Sequence, residues 1–207
     1  YLKNLCDGVQ VCLNSNISEI VTNLQRFEPN AMRVVPMIAQ HLLQRIKIAA
    51  SKNPDMTPAE AAKTVLGRNL NWMTSGGAYL DPILAEEFDK LGIMLRQGYG
   101  MTEVSSAATA AAGRDNKPGS VGLPLVNTLV SVFEPGTDTE LPVGQRGELC
   151  ISGPGVMKGY YNKPAETAAI KHTHADGRIW VHTGDIGYLD EDGFVYLDSR
   201  IKRLIIR

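Results

Sequence analysis

The sequence predicts an α/β protein, an open sheet flanked by helices followed by a small, mostly antiparallel, β-barrel-like subdomain. Two observations carry that expectation. Over residues 1–124, short β-type runs, Gly or Pro breaks and helix-spaced apolar stretches follow one another repeatedly, the order that builds an open sheet with helices on its faces. Past Pro124 the texture changes to short β runs punctuated by Gly and Pro, which makes residues 125–198 a second, β-rich part.

Val9-Gln10-Val11-Cys12-Leu13 reads as a first short β run, and Ile17, Ile20, Val21 and Leu24 fall at helical spacing up to Phe27. Met32-Arg33-Val34-Val35 is a compact strand ending at Pro36, which suits the first turn of a helix continued by Ile38, Leu42, Leu43 and Ile46. Ser51 to Asp55 reads as an exposed loop. Thr57-Pro58-Ala59-Glu60 is a capping box with Pro at the first helical position, so a short helix is expected up to Leu66, with its stop at Gly67. Leu70 to Thr74 suits a buried strand, Ser75-Gly76-Gly77 breaks it, and Asp81-Pro82 opens a helix through Leu91 that ends at Gly92. Ile93-Met94-Leu95-Arg96 gives the next strand, and a helix rich in Ala and Ser is expected after Glu103. In the second part, Thr128 to Phe133 and Gly147 to Ile151 are strands, Pro135-Gly136-Thr137-Asp138 a turn, and Pro164 to Lys171 a helix. Ile186 to Asp190 and Phe194 to Asp198, joined by Glu191-Asp192-Gly193, read as a hairpin.

Composition narrows the function. With 21 Lys+Arg against 22 Asp+Glu in 207 residues, the net charge is −1 and the basic residues are scattered, so no broad field recruits nucleic acid or an acidic membrane. Any anion must be held locally. No apolar stretch reaches the ~18–20 residues needed to span a bilayer, and Tyr1-Leu2-Lys3-Asn4 is not a signal peptide, so a soluble, cytoplasmic protein is expected. Three cysteines, Cys6, Cys12 and Cys150, are odd in number and lack CxxC spacing, which argues against a disulfide framework or a cysteine zinc site. The chain opens without Met and closes on the strand-like Leu204-Ile205-Ile206-Arg207, which reads as a sequence cut at both ends.

The densest chemical signal is Gln97-Gly98-Tyr99-Gly100-Met101-Thr102-Glu103, where a strand gives way to the expected helix. Two glycines allow close backbone approach, Tyr99 offers a stacking face, and a hydroxyl beside a carboxylate stands at a helix start. Such a set suits a nucleotide, with Thr102 donating to a phosphate oxygen and Glu103 holding Mg²⁺. The plainer reading is a turn in which Thr102 caps a helix and Glu103 complements its dipole. A dinucleotide fingerprint is disfavoured, since GxGxxG needs Gly where Glu103 stands. A second signal is Val181-His182-Thr183-Gly184-Asp185-Ile186-Gly187-Tyr188, and a third Asp198-Ser199-Arg200-Ile201-Lys202-Arg203. Asp185 could accept both hydroxyls of a ribose and Arg200 reach ribose or phosphate; a turn aspartate and a solvated strand end are the plainer readings. His172, His174 and His182 are set aside as a metal site, because an HxH pair on a polar loop is more often incidental than a ligand pair. An EF-hand starting at Tyr188 fails, with Tyr188 first and Ser199 twelfth, and no GxSxG nucleophile elbow occurs.

Ser75-Gly76-Gly77-Ala78, Gln97 to Glu103, Gly147-Glu148-Leu149-Cys150-Ile151-Ser152-Gly153, Gly159-Tyr160-Tyr161-Asn162-Lys163-Pro164, His182-Thr183-Gly184-Asp185 and Arg200-Ile201-Lys202 occur in one order at characteristic spacing. In this the chain resembles, from end to end, the acyl-adenylate-forming (AMP-binding) enzymes: acyl-CoA synthetases, adenylation domains and luciferases. The resemblance implies a two-step reaction in which a carboxylate attacks the α-phosphate of ATP, releasing pyrophosphate, and the acyl-adenylate then passes to a thiol, usually that of coenzyme A. By motif matching it implies that Tyr99 stacks on adenine within Gln97, Gly98 and Gly100, and that Gly76, Gly77 and Ala78 line the adenine and acyl pockets. It further implies Thr102 on the α-phosphate, Glu103 on Mg²⁺, Asp185 on the ribose hydroxyls, Arg200 on ribose or phosphate, and Lys202 as a hinge for a C-terminal domain that swings between half-reactions.

The departures matter too. The family's Ser/Thr/Gly-rich phosphate loop with its Lys has no counterpart in residues 1–207, and neither does the C-terminal domain with its catalytic Lys, so residues 199–207 read as a hinge region. The 207 residues are therefore expected to be an internal piece of the large N-terminal domain, inactive alone. Gln97 and Met101 depart from the Asn and Pro typical of amino-acid-activating domains, which favours a fatty-acid or related acyl-CoA ligase. An amino-acid-activating domain or a non-catalytic nucleotide-binding module are the alternatives.

Overall fold

The computed structural model describes residues 7–14, 16–111 and 117–201. They gather into two compact units, one holding the described residues up to Thr74 with Ile83–Leu95, the other Ser75–Pro82 with the described residues from Arg96 onward. The boundary expected near residue 125 lies inside the second unit, between the strands of two different sheets.

In the first unit, Asn16 accepts the Ser18 amide at 3.1 Å and starts a 3-10 turn, Ile17–Glu19, that leads into helix α1, Ile20–Phe27. Only Ile20 and Leu24 of its apolar residues are buried, and Glu28 in the left-handed region (φ 41°) ends it. Strand β1, Ala31–Val34, precedes α2, Pro36–Lys52, which has Pro36 in its first turn and buries Ala39, Leu42 and Ile46 along one face. The capping box at the head of α3, Pro58–Leu66, closes as the sequence predicts: the Glu60 carboxylate takes the Thr57 amide at 2.8 Å and Thr57 Oγ1 takes the Glu60 amide at 3.3 Å. Gly67 follows at φ 84°, and a Cβ there would press on the Leu24 carbonyl. Thr57→Ala should therefore cost about 1 kcal/mol. Urea unfolding checks it, with the midpoint expected to fall at unchanged m-value. Strand β2, Trp72–Ser75, helix α4, Pro82–Lys90, and strand β3, Met94–Tyr99, complete the αβ run, with Phe88 of α4 fully buried.

β1, β2 and β3 are the parallel part of a five-stranded sheet of order β1-β2-β3-β4-β5, in which β4, Thr109–Ala110, and β5, Leu123–Pro124, are antiparallel additions. The second sheet is a curled antiparallel half-barrel of order β10-β9-β7-β6, with β8 also pairing β9. Its strands are β6, Leu129–Phe133; β7, Gly147–Ser152; β8, Lys171–Thr173; β9, Ile179–Leu189; and β10, Val195–Arg200. Val130, Val132, Leu149, Ile151, Val181 and Val195 form its core, and Phe133, Cys150 and Trp180 a smaller cluster. Every residue of β7 is buried. A strand covered on both faces reads as the continuous run Leu149-Cys150-Ile151 instead of an alternating one.

Four expectations about elements change. Val9 to Leu13 is not a strand, and Val9 and Leu13 are exposed. Among the described residues, the Ala- and Ser-rich stretch after Glu103 forms no α-helix, and a 3-10 turn, Thr102–Val104, stands at its head. There Ser105 (φ 59°) and Ser106 (φ 76°) turn the chain back, and the Ala108 and Ala111 amides bond the Tyr99 and Gln97 carbonyls, so that β4 returns beside β3. Helix α5 spans Pro164–Ala168 only, because Lys171 to Thr173 is drawn into pairing with β9. The hairpin forms, but β9 begins at Ile179, so Asp185 sits within a strand and not in a turn. Among the described residues no helix is long and apolar enough to cross a membrane.

Candidate functional site

The site lies within the second unit and is built on β3 and its flanking loops. Gln97 is buried on β3, where its side-chain amide donates to the Ala78 carbonyl at 3.0 Å and accepts from the Leu80 amide at 3.3 Å. Both ends of one amide thus fix the Gly76–Leu80 segment. Gly77 adopts φ 79°, a Cβ there would meet nothing within 4 Å, and one at Gly76 would stand 3.7 Å from the Gly98 carbonyl, so this edge is open. Gly100 is the reverse case: a Cβ would overlap Ser106 and Ala107, and only glycine permits the turn that follows Tyr99.

Two residues further along β3, the Tyr99 hydroxyl donates to Asp185 Oδ2 at 2.7 Å. Arg200 Nε donates to Asp185 Oδ1 at 2.8 Å, so each carboxylate oxygen takes one partner. The Asp185 side chain is 8% exposed while that of Arg200 is 69% exposed. Burial above all, then the adjacent Asp185 charge, pushes the Tyr99 phenol far above its ordinary pKa and keeps it a donor. Behind Asp185, its amide bonds Thr183 Oγ1 at 3.0 Å, and that hydroxyl donates to the Leu149 carbonyl at 2.7 Å. A register shift in β10 between Leu197 and Ser199 leaves Asp198 unpaired and sets Arg200 opposite Asp185. Without that bulge Ser199 would face Asp185.

Glu103 is tied to a different loop. Its Oε1 accepts the Tyr160 hydroxyl at 2.5 Å and its carbonyl accepts the Met157 amide at 2.8 Å, while Ser105 Oγ donates to the Gly155 carbonyl at 2.8 Å. The hydrogen bond to Glu103 raises the Tyr160 pKa above its ordinary value. Thr102 is exposed at the head of the 3-10 turn. Of the residues singled out from the sequence, the structure joins Tyr99, Asp185 and Arg200 through one carboxylate and links Gln97 to Ala78. Lys202 lies outside the described residues. Tyr160 was not singled out as a site residue. The signal for it was Gly159-Tyr160-Tyr161, but nothing local shows that its hydroxyl reaches Glu103.

Residues 4–161 match the family model described as AMP-binding enzyme. The chain is 42% identical over 134 residues to a long-chain-fatty-acid–CoA ligase of Bacillus subtilis, covering 64% of this chain and 23% of that protein. It is 34% identical over 195 residues to a probable 4-coumarate–CoA ligase 1 of Dictyostelium discoideum, covering 89% of this chain and 33% of that one. Among solved structures, O-succinylbenzoate coenzyme A synthetase from Bacillus subtilis in complex with ATP and magnesium ion superposes with a TM-score of 0.75 at 27% identity, covering 99% of this chain and 39% of that one. The chain therefore spans about a quarter to a third of the length of the curated relatives it matches.

Proposed function

Starting from the AMP-binding enzyme family, to which this chain belongs, we propose that the protein is an ATP-dependent acyl-CoA synthetase that adenylates a fatty acid or related carboxylic acid and passes the acyl group to coenzyme A. The observation that carries this reading is the Asp185 carboxylate, buried and oriented by Tyr99 and Arg200. A carboxylate offers about four acceptor positions, and the two donors take one each, leaving room for the vicinal hydroxyls of a ribose. Tyr99, held by its hydroxyl, presents its ring to adenine beside Gly98 and Gly100, and the open edge at Gly76 and Gly77, with only the small Ala78 beyond, gives the base and the acyl chain a wall without bulky side chains.

The two half-reactions need anions brought together and charge neutralised. Thr102 donates to the α-phosphate from its exposed position, and Arg200, anchored at Nε with its side chain largely exposed, reaches phosphate or ribose. The residues present fit Mg²⁺: one Glu103 oxygen is engaged by Tyr160, and the other would be available to a hard cation of the kind that also binds substrate phosphates. When bound, the ion offsets charge on the phosphates. Tyr160 keeps the Glu103 carboxylate in one orientation, and Lys202 serves as the hinge beyond β10.

The test is titration calorimetry of the protein with ATP and Mg²⁺, followed by pyrophosphate exchange by the full-length parent enzyme, which would carry the phosphate loop and catalytic Lys, with a panel of fatty, aryl and amino acids. Saturable ATP binding and exchange driven by fatty or aryl acids are expected. Exchange driven by amino acids alone, or no ATP heat above background, overturns the reading.

A further inference from the structure

The fold reverses the argument that set His172, His174 and His182 aside, because it brings an acid ligand to them from a turn 34 or more residues away. The turn between β6 and β7 carries Asp138 to the histidines of β8, its following residue and β9: Asp138 Oδ1 is 3.2 Å from His174 Nε2, 3.3 Å from His172 Nδ1 and 3.6 Å from His182 Nε2. His174 Nε2 and His182 Nε2 are 3.0 Å apart, and all four donor atoms lie within 4.8 Å of one another. Zn²⁺ bound tetrahedrally at about 2.0–2.1 Å by nitrogen and oxygen has neighbouring donors roughly 3.3 Å apart. Four of the six separations already sit within a few tenths of that, and the other two both involve His172, which is partly exposed and free to adjust.

We propose that Asp138, His172, His174 and His182 form a binding site for a divalent transition-metal ion, Zn²⁺ in particular, that clips the 135–138 turn and β8 to β9.

The surroundings are those of a ligand shell. His182 Nδ1 donates to Glu148 Oε2 at 2.9 Å and both residues are buried, which leaves Nε2 as the bare nitrogen facing the cluster. A carboxylate behind a ligating imidazole is the usual way a protein sets that ring's tautomer and direction. Glu148 is itself held, its Oε1 accepting the Gly184 amide at 2.8 Å. The His174 side chain is 4% exposed, edge-on to Phe133 at 4.7 Å and stacked on Trp180 at 5.9 Å, so its ring has one orientation. Its Nδ1 has no hydrogen-bond partner, so the ring's polar engagement is all on the Nε2 side. Asp138, 51% exposed, gives an ion its entry from solvent. Three imidazoles with one carboxylate in tetrahedral array suit Zn²⁺ better than Mg²⁺ or Ca²⁺, which prefer oxygen donors.

The test uses the protein purified without a polyhistidine tag and stripped with EDTA, then titrated with Zn²⁺ in the presence of excess Mg²⁺. One equivalent should bind, raise the unfolding temperature, and be replaceable by Co²⁺ with the intense visible bands of a tetrahedral complex. His172→Ala and Asp138→Ala alter side chains at the rim and leave the core intact. Each should weaken Zn²⁺ binding by at least the 10–100-fold that loss of an outer-shell partner costs and remove the thermal shift. Absence of stoichiometric uptake, uptake indifferent to both substitutions, or an octahedral Co²⁺ spectrum would each overturn the site.

Discussion

Gly122→Ala should abolish cooperative folding or cost on the order of 4 kcal/mol, combining left-handed backbone strain with overpacking. Gly122 has φ 90°, and a Cβ there would sit inside the Ala110 carbonyl and the Ala111 amide. Neither can retreat. The Ala111 amide bonds the Gln97 carbonyl, and Ala110 pairs with both Gly98 and Leu123. On the other side the Val121 amide bonds the Val195 carbonyl at 2.8 Å and the Val195 amide returns to the Gly122 carbonyl at 3.0 Å. The residue is thus where β4 and β10 are laced together within the second unit. Gly136→Ala and Gly144→Ala are the controls, at φ 77° and 85° with nothing within 4 Å of the added carbon. They should cost only the strain of the left-handed conformation, about 1–2 kcal/mol. Chemical denaturation of the three variants separates the causes. A Gly122→Ala protein as stable as the controls would show that the β4 turn yields, and the close approach would lose its structural meaning.

What could be read from the sequence was what local physics decides. The Thr57-Pro58-Ala59-Glu60 box, the Pro36 helix start, the Gly67 and Gly92 stops and the strand around Met73 need only neighbours a few residues away, and each forms as expected. Long-range pairing decided the rest. The Ala- and Ser-rich run after Glu103 has helical composition, yet bonds from Ala108 and Ala111 back to β3 outweigh that propensity, which is worth only tenths of a kcal/mol per residue. Asp185 was legible as a candidate through its motif. Its partnership with Arg200 was not, because it depends on the unpaired Asp198 that resets the register. The histidine cluster is the plainest case: His172, His174 and His182 are visible in the sequence, but Asp138 lies 34 residues from His172 and meets it only when β6 and β7 pair.

Asp185→Asn should weaken ATP binding by roughly 100-fold, a loss of about 3 kcal/mol from exchanging charge-assisted hydrogen bonds to the ribose for neutral ones. The substitution is chosen because it leaves an acceptor in place: Tyr99 can still donate to the amide oxygen, so the buried phenol keeps its partner while the charge and one acceptor disappear. Stability should fall little, and the unfolding midpoint monitors that. Tyr99→Phe is the complementary change. It keeps the ring for adenine but removes the donor that orients Asp185 Oδ2, leaving only Arg200 on the carboxylate. If the hydroxyl acts by holding the carboxylate, Tyr99→Phe should weaken ATP less than Asp185→Asn does, and the double variant should lose less than the sum of the two. Calorimetric titration of ATP into all four proteins tests this. Additive losses would mean that Tyr99 and Asp185 act separately. Unchanged ATP affinity in Asp185→Asn would remove the ribose contact, and the Asp185–Tyr99–Arg200 group would then be a purely structural tie between β3, β9 and β10.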